Sequence, residues 1–203
     1  MKTIQFNNKE IAPSKVVCVG RNYVEHIEEL GNEMPENMVL FNKPNSAVTS
    51  VLQYFDPACR FEGELCLLVL GGRIAGLGLG LDLTHADIQN RQKAKGLPWE
   101  RAKAFDGSAV LSEFVPFEGN LEAVRFELLR NGVLAQHADY TLMMYKPHEI
   151  LEEISSFMTL EDGDIIMTGT PKGVGTYDKG DFFEMKLFEN DSMILETSWR
   201  VDA

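Results

Sequence analysis

The sequence has few of the features that mark a secreted, membrane or nucleic-acid-binding protein. It has three cysteines, an odd number without a C-x-x-C pair, which disfavours a disulfide framework or a zinc site and favours a reducing cytoplasm. No apolar run approaches the length of a membrane span, and the N-terminal residues lack the apolar core of a signal peptide. Basic residues are a minority, 19 against 31 acidic ones. The resulting net charge of −12 argues against nucleic acid or an anionic membrane as a partner.

What the sequence does contain indicates a β-rich globular protein. The chain has 203 residues, 44% of them apolar, which suffices for one domain with a sizeable core. Short apolar segments between turn signals predict many strands and few, short helices. Asn131-Gly132 predicts a tight hairpin, while Thr84 and Asp87 fit a capping box at a helix start. We therefore predict a single α+β domain, residues 1–203, built around a β core.

One stretch, residues 61–69, begins with acidic residues and continues as a strongly apolar run. In a β-strand, Glu62 and Glu64 would point to the same face, with Gly63 between them. Two adjacent carboxylates that enter an apolar strand repel each other and lose hydration, which is costly unless a cation neutralises them. The alternative is that this end of the strand is wet and both acids are simply solvated.

Asp82 lies just past a second apolar strand, which is a common place for functional side chains. Together with Glu62 and Glu64 it forms an all-oxygen set that favours Mg²⁺ or Mn²⁺ over zinc, with Ca²⁺ as a further candidate. Three protein ligands would leave about three positions of an octahedron for water or substrate, which is a catalytic arrangement. The spacing alone is weak support, because acids near strand ends are common.

Several short motifs occur along the chain in a fixed order. They are Gly20-Arg21-Asn22-Tyr23-x-x-His26-x-x-Glu29, Phe41-Asn42-Lys43-Pro44, Glu62-x-Glu64-Leu65, Asp82-Leu83-Thr84-x-x-Asp87-Ile88-Gln89, Lys95-Gly96-Leu97-Pro98-Trp99, Ala102-Lys103-x-Phe105-Asp106 and Thr168-Gly169-Thr170-Pro171-Lys172-Gly173-Val174-Gly175. Together they resemble the fumarylacetoacetate hydrolase family, most closely its short, single-domain acylpyruvase and oxaloacetate decarboxylase branch. The resemblance implies a mixed β-sandwich roll with a few short helices, usually dimeric. It also implies an Mg²⁺ or Mn²⁺ site whose ligands are Glu62, Glu64 and Asp82.

The resemblance also implies a catalytic base. His26 and Glu29 lie three residues apart on a short helix predicted over residues 24–30, so they can face one way. A carboxylate beside an imidazole holds its tautomer and raises its basicity, and the family uses such a pair to deprotonate water. Without the family, an incidental pair on a surface helix would be the better interpretation.

Further residues are assigned to the substrate by the same resemblance. Lys103 resembles the family's active-site lysine, which would bind a substrate carboxylate or stabilise a developing oxyanion. Gln89 would donate hydrogen bonds to a substrate oxygen, and the turn that carries Thr170 would hold a substrate carboxylate. Arg21 and Lys43 are secondary candidates for anion contacts. The alternatives are a solvated lysine, an exposed helix position and a plain tight turn.

The sequence departs from the family at one point. Relatives commonly have Asp-x-Ser/Thr-Ala-Arg-Asp, but here Ala86 stands in the arginine position and His85 stands where a small residue is usual. A lost guanidinium removes a bidentate anion partner or a structural ion pair. This departure affects the expected substrate preference, not the expected metal site.

These residues favour chemistry on a small 2-oxo acid, which can chelate a metal through its carboxylate and ketone oxygens. The first choice is a C–C bond hydrolase of a 2,4-dioxo acid such as a 3-acylpyruvate or a fumarylpyruvate-like substrate. The same metal site would serve an oxaloacetate decarboxylase or an isomerase of a hydroxymuconate-type acid. A non-catalytic metal- or ligand-binding protein is the alternative of another class. The His26–Glu29 pair disfavours it, because pure binding needs no base. We expect a cytoplasmic homodimer.

Overall fold

The computed structural model describes residues 1–25 and 36–202. The strands are β1 (Ile4–Phe6), β2 (Lys9–Ile11), β3 (Lys15–Gly20), β4 (Val39–Pro44), β5 (Val48–Thr49), β6 (Cys59–Phe61), β7 (Gly63–Leu70), β8 (Arg73–Asp82), β9 (Thr84–His85), β10 (Ala109–Pro116), β11 (Val124–Arg130), β12 (Val133–Asp139), β13 (Ile165–Met167), β14 (Gly175–Thr176), β15 (Phe182–Glu189) and β16 (Ser192–Arg200). The α-helices in this part of the chain are α1 (Ala86–Ala94), α2 (Glu100–Lys103) and α3 (Pro147–Phe157). None of these described helices is long and apolar enough to cross a membrane. The helix predicted over residues 24–30, with His26 and Glu29, lies outside the described residues from position 26 onward.

The described strands form three sheets of different size. The largest has the order β2-β1-β10-β8-β7-β13-β3-β4, with β5 paired to β10. It is mixed, because β1 and β5 run parallel to β10, and β13 runs parallel to β3. An antiparallel sheet has the order β12-β11-β15-β16, and a small sheet has the order β14-β6-β9. The α+β class and the mixed β roll expected from the sequence are confirmed.

The central strand β7 is covered on both faces. Leu65 and Leu67 point into a core shared with the antiparallel sheet, whereas Cys66 and Leu68 point into a second core on the other face of the large sheet. A strand buried on both sides has a continuous apolar sequence instead of an alternating one. The apolar run after Glu64 is therefore explained by the position of β7 in the middle of the sheet.

Local sequence signals predicted one turn correctly and one helix cap incorrectly. Asn131 and Gly132 have φ values of 52° and 78° and join β11 to β12, which confirms the hairpin. Helix α1 begins at Ala86 with His85 as its N-terminal cap, and no side chain caps it. The capping box of Thr84 and Asp87 is wrong, because the cap position falls on His85, and the Thr84 hydroxyl donates to the carboxylate of Glu62.

Candidate active site

Three carboxylates from neighbouring strand ends meet at one place. Glu62 immediately precedes β7, Glu64 is the second residue of β7, and Asp82 is the last residue of β8. The two strands pair antiparallel with Gly63 opposite Leu81, so these ends are adjacent. One oxygen of each carboxylate lies within 4.8 Å of the others. Glu64 and Asp82 are each 1% exposed and Glu62 is 9% exposed, so the alternative of solvated acids is wrong.

Two buried lysines each contact one carboxylate oxygen of Asp82. The Lys103 amine donates to Asp82 Oδ2 at 2.7 Å and to Glu62 Oε2 at 2.8 Å. The Lys43 amine lies 2.8 Å from Asp82 Oδ1 and also donates to Ser108 Oγ and to the Lys103 carbonyl. Lys103 is 3% exposed, so the alternative of a solvated lysine is wrong. Lys43 has no exposed surface and lies behind Asp82, which favours charge pairing over direct contact with a substrate.

The electrostatics of the cluster are those of charges held out of water. Burial raises the pKa of Glu64 well above its usual range, and the neighbouring charges of Asp82 and Glu62 raise it further. Burial alone would lower the pKa of the Lys103 amine, but Asp82 and Glu62 outweigh burial and raise it. Lys103 is therefore a permanent cation beside the carboxylates.

Neighbouring loops hold the carboxylates in place. The Thr84 hydroxyl donates to Glu62 Oε1 at 2.8 Å, and the Gly169 amide donates to Glu64 Oε2 at 2.7 Å. Gly169 has a φ of 96°, and a Cβ atom there would lie 2.8 Å from Asn22 Cβ. Only glycine fits this position, so the glycine of the Thr168–Gly169–Thr170 motif has a structural reason.

Gln136 on β12 is a supporting residue that the sequence analysis missed. Its side-chain Oε1 accepts from the Gly63 amide at 2.8 Å, and its Nε2 donates to the Thr170 hydroxyl at 2.8 Å and to the Pro171 carbonyl at 2.9 Å. It is 2% exposed. The available signal was its spacing from Ala138, since residues two apart share a strand face and a buried polar residue needs partners.

The three carboxylates line a cleft of about 440 Å³, a volume that includes space open to solvent. Its lining also includes Arg21, Gln89, Lys93, Trp99, Lys103 and Thr170. The structure thus brings Arg21, Gln89, Lys103 and Thr170 together with the carboxylates, as expected. Lys43 is not in this lining. The sequence analysis missed Lys93 and Trp99, although Lys93 follows Gln89 by four residues and so shares its helical face.

His85 and Ala86, where the sequence departs from the family pattern, lie away from this cleft lining. The His85 Nδ1 atom is 2.5 Å from Asp56 Oδ2, and the imidazole packs against the ring of Phe105 with 4.1 Å between centroids. Ala86 is buried at the start of α1. In the described part of the chain, neither residue supplies the anion contact that an arginine could make.

The donor set fits a hard divalent cation. Its oxygens come from three carboxylates, which Mg²⁺, Mn²⁺ and Ca²⁺ prefer over nitrogen or sulfur. The cluster has one more carboxylate than it has buried lysine amines, since Lys43 and Lys103 offset only two of the three. A divalent cation would reverse this imbalance and leave a positive site suited to an anionic ligand. Glu62, Glu64 and Asp82 are therefore the residues that could hold a metal ion.

A carboxylate-centred cleft on a mixed β roll defines a class of enzymes that act on small organic acids, and comparisons with known proteins identify the family. Residues 15–197 match the family described as "Fumarylacetoacetate (FAA) hydrolase C-terminal". The chain belongs to the fumarylacetoacetate hydrolase family, which confirms the resemblance.

Members with several activities resemble this chain. It is 40% identical over 187 residues to oxaloacetate tautomerase YcgM of Escherichia coli, covering 83% of this chain and 85% of the relative. A crystal structure of fumarylpyruvate hydrolase from Pseudomonas aeruginosa, in complex with Mn²⁺ and pyruvate, superposes with a TM-score of 0.89 at 28% identity over 99% and 95% of the two chains. The 5-carboxymethyl-2-hydroxymuconate delta-isomerase of Mycobacterium smegmatis superposes with a TM-score of 0.77 at 30% identity over 95% and 80%. The family thus includes tautomerases, hydrolases and isomerases.

Proposed function

We propose that the protein is a divalent-metal-dependent enzyme that enolises a small 2-oxo acid, with the keto–enol tautomerisation of oxaloacetate as its first candidate reaction. The observation that carries the proposal is the convergence of Glu62, Glu64 and Asp82 beside the buried amine of Lys103. Identity of 40% to an oxaloacetate tautomerase supports this substrate. Mg²⁺ or Mn²⁺ is the proposed ion, because a related hydrolase holds Mn²⁺ and the donors are hard oxygens.

Each residue of the cleft has a physical role in this proposal. When bound at Glu62, Glu64 and Asp82, the ion would supply Lewis-acid polarisation of the 2-oxo group. Lys103 places a fixed positive charge where negative charge develops on the enolate oxygen, and it does so without reorganisation. Gln89 orients a substrate oxygen from α1. These roles assign binding and charge stabilisation to the described residues and leave proton transfer to another group.

Thr170 contributes through its backbone in this proposal. Its hydroxyl already donates to the Gly63 carbonyl at 2.9 Å and accepts from Gln136. A hydroxyl has one proton to donate, so donation to a substrate would break an existing bond. The turn therefore offers the Thr170 backbone amide to the substrate, since the Gly169 amide already donates to Glu64 Oε2, while the Thr170 side chain fixes the turn against β7.

Hydrolysis of a 3-acylpyruvate or fumarylpyruvate is the second candidate. It is favoured by the fumarylpyruvate hydrolase whose structure resembles this chain over nearly its whole length. This reaction needs an activated water and therefore a base, for which the sequence predicts His26 with Glu29. Tautomerisation ranks first because the relative of higher identity carries that name. Decarboxylation of oxaloacetate and isomerisation of a hydroxymuconate-type acid are the remaining alternatives.

The test is a panel of 2-oxo acids assayed with Mg²⁺, Mn²⁺, Ca²⁺ or a chelator. The panel contains oxaloacetate, acetylpyruvate, fumarylpyruvate and a hydroxymuconate-type acid. The enol absorbance of each acid is followed over time, which distinguishes keto–enol exchange from cleavage. We expect turnover of oxaloacetate that depends on the metal and disappears in Asp82→Ala. Full activity after exhaustive chelation, or no turnover of any member, would refute the proposal.

The expected assembly and compartment complete the proposal. We propose a homodimer of single catalytic domains in the cytoplasm. Cys18, Cys59 and Cys66 are all buried and unpaired with one another, which suits a reducing compartment. The dimer rests on the family alone, and sedimentation showing only monomer at micromolar concentration would count against it.

A further inference from the structure

Lys93 is a cleft residue to which the proposed chemistry assigns no role. It lies on α1 one helical turn after Gln89, and both side chains line the cleft. Other residues of the same helix, among them Arg91 and Gln92, line a separate surface groove on its outer side. The geometry of α1 therefore directs Lys93 towards the carboxylate cluster and away from the outer surface.

The Lys93 side chain is held in position but has no carboxylate partner among the described residues. Its amine lies 5.4 Å from the centroid of the Trp99 ring, within range of a cation–π contact. The side chain is half-buried. Within residues 1–25 and 36–202, no carboxylate lies within 4 Å of the amine. A lysine that is oriented and partly desolvated without an ion pair is suited to an anionic ligand.

More cations than anions act on the pKa of the Lys93 amine. Burial lowers the pKa of its amine, Arg21 lowers it further, and Lys103 and Arg60 act in the same direction, while Glu62 opposes them. A half-buried cation in a field of other cations is stabilised by an anion placed among them. The cleft thus contains the three carboxylates and, on α1, the amine of Lys93, which is available to an anion.

We propose that Lys93 binds the distal carboxylate of a dicarboxylic 2-oxo acid whose 2-oxo acid end would be held by the divalent ion proposed at Glu62, Glu64 and Asp82. This inference rests on the proposed function and narrows its substrate class to dicarboxylates.

The same contact favours one reaction over another. Tautomerisation moves a proton from C3 to the C2 oxygen and leaves both carboxylates charged. Decarboxylation breaks the C3–C4 bond, releases CO₂ and transfers the negative charge of the distal carboxylate to the enolate. An ion pair with Lys93 stabilises that carboxylate in the ground state and is lost when CO₂ forms. Lys93 therefore favours proton transfer over loss of CO₂.

The test measures binding of malate and lactate to the full chain in the presence of Mn²⁺. Both are α-hydroxy acids that can chelate a metal and do not undergo the reaction, and they differ only by the distal carboxylate. We expect the wild-type protein to bind malate about ten- to a hundredfold more tightly than lactate, the usual scale of a hydrogen bond to a charged group. Lys93→Met should remove this preference and leave lactate affinity within about twofold, while Lys93→Arg should keep part of it.

Lys95→Met is the matched control, because Lys95 is exposed at the end of the same helix and lines the outer groove. It removes the same charge and should leave the preference for malate intact. Equal loss of both ligands in Lys93→Met, no loss in that variant, or no preference in the wild-type protein would overturn the inference. Failure of the proposed function gives a different result, since the malate preference would persist in a protein that turns over no 2-oxo acid.

Discussion

Gln136 accepts a hydrogen bond from the Gly63 amide at 2.8 Å and thereby connects the antiparallel sheet to the candidate metal site. Gly63 separates Glu62 from Glu64, and a Cβ atom there would lie 2.8 Å from Gln136 Oε1. The same side chain donates to the Thr170 hydroxyl. The buried side-chain amide of Gln136 therefore connects two parts of the cleft, the strand end that carries Glu62 and Glu64 and the turn that carries Thr170.

Replacement of Gln136 should damage both stability and metal binding. Gln136→Leu leaves the Gly63 amide and the Pro171 carbonyl without their partner, so we expect the free energy of unfolding to fall by about 2–3 kcal/mol. Gln136→Glu keeps an acceptor for Gly63 but loses the donor to Thr170. Denaturant unfolding and Mn²⁺ titration measure the two effects. Gln5→Leu, on an exposed part of β1, is the control, and equal effects of the two leucine variants would contradict this role.

Lys103→Met should lower kcat/KM strongly but should not weaken metal binding. The variant removes a preorganised positive charge, for which a loss of about two to three decades in kcat/KM is expected. Mn²⁺ affinity should not fall, because the amine that pairs with Glu62 and Asp82 is a competing cation. Steady-state kinetics and Mn²⁺ titration measure these effects. Arg101→Met, an exposed neighbour on α2, is the control. Near-normal kinetics in Lys103→Met would show that its charge is not used.

Lys43 is predicted to stabilise the fold by pairing with Asp82. Lys43→Met leaves Asp82 Oδ1 without the amine 2.8 Å away, and removal of one partner of a buried ion pair costs about 3–5 kcal/mol. A divalent ion can replace part of the missing charge, so Mn²⁺ should raise the melting temperature more in the variant than in the wild-type protein. Thermal unfolding with and without Mn²⁺ measures this. An equal increase in both proteins would argue against a shared electrostatic role.

Asp164 should make stability depend on pH in acid. Burial alone would raise its pKa, but hydrogen bonds from Lys15, Ser14 and the Glu161 amide outweigh burial and lower it. The contribution is present above the unfolded-state pKa of about 3.9 and is lost as the pH falls through the lower folded-state value. Asp164→Asn should therefore cost about 2–3 kcal/mol near pH 7, and this cost should shrink as the pH falls below about 3.9. Urea unfolding across this range measures it. Asp191→Asn, in an exposed turn, should show no such dependence.

The sequence predicted most accurately those features that depend on neighbouring residues along the chain. The spacing of Glu62 and Glu64 predicted a shared strand face, and Asn131-Gly132 predicted its hairpin, because both signals depend on neighbours along the chain. The position of Asp82 just past a strand predicted it as a third ligand, and the family resemblance added Lys103, which lies far from Glu62 in sequence. Spacing alone could not have placed Lys103 between two carboxylates, since that contact depends on how α2 packs against β4 and β9.

The errors also have physical causes. Thr84 fits a helix cap by sequence, but it lies on β9, and its hydroxyl donates a charge-assisted hydrogen bond to the buried carboxylate of Glu62. Lys43 was a secondary candidate for an anion contact, and the amine pairs with Asp82. In both cases a charged group brought close by the fold outweighed a local preference. Gln136 was missed for a related reason, since its partners lie on another sheet and a distant turn.

The His26–Glu29 pair, known here only from the sequence, provides the prediction that separates hydrolysis from the other reactions. Hydrolysis needs a positioned base to activate water, whereas decarboxylation needs only an electron sink for the enolate charge. His26→Ala and Glu29→Gln should each lower acylpyruvate hydrolysis by about two decades or more, and any decarboxylation of oxaloacetate should fall much less. Asp82→Ala should abolish both activities. Parallel assays of both substrates measure this asymmetry. If His26→Ala loses both activities equally while still binding Mn²⁺, the pair positions the substrate, and if it loses neither, the base lies elsewhere.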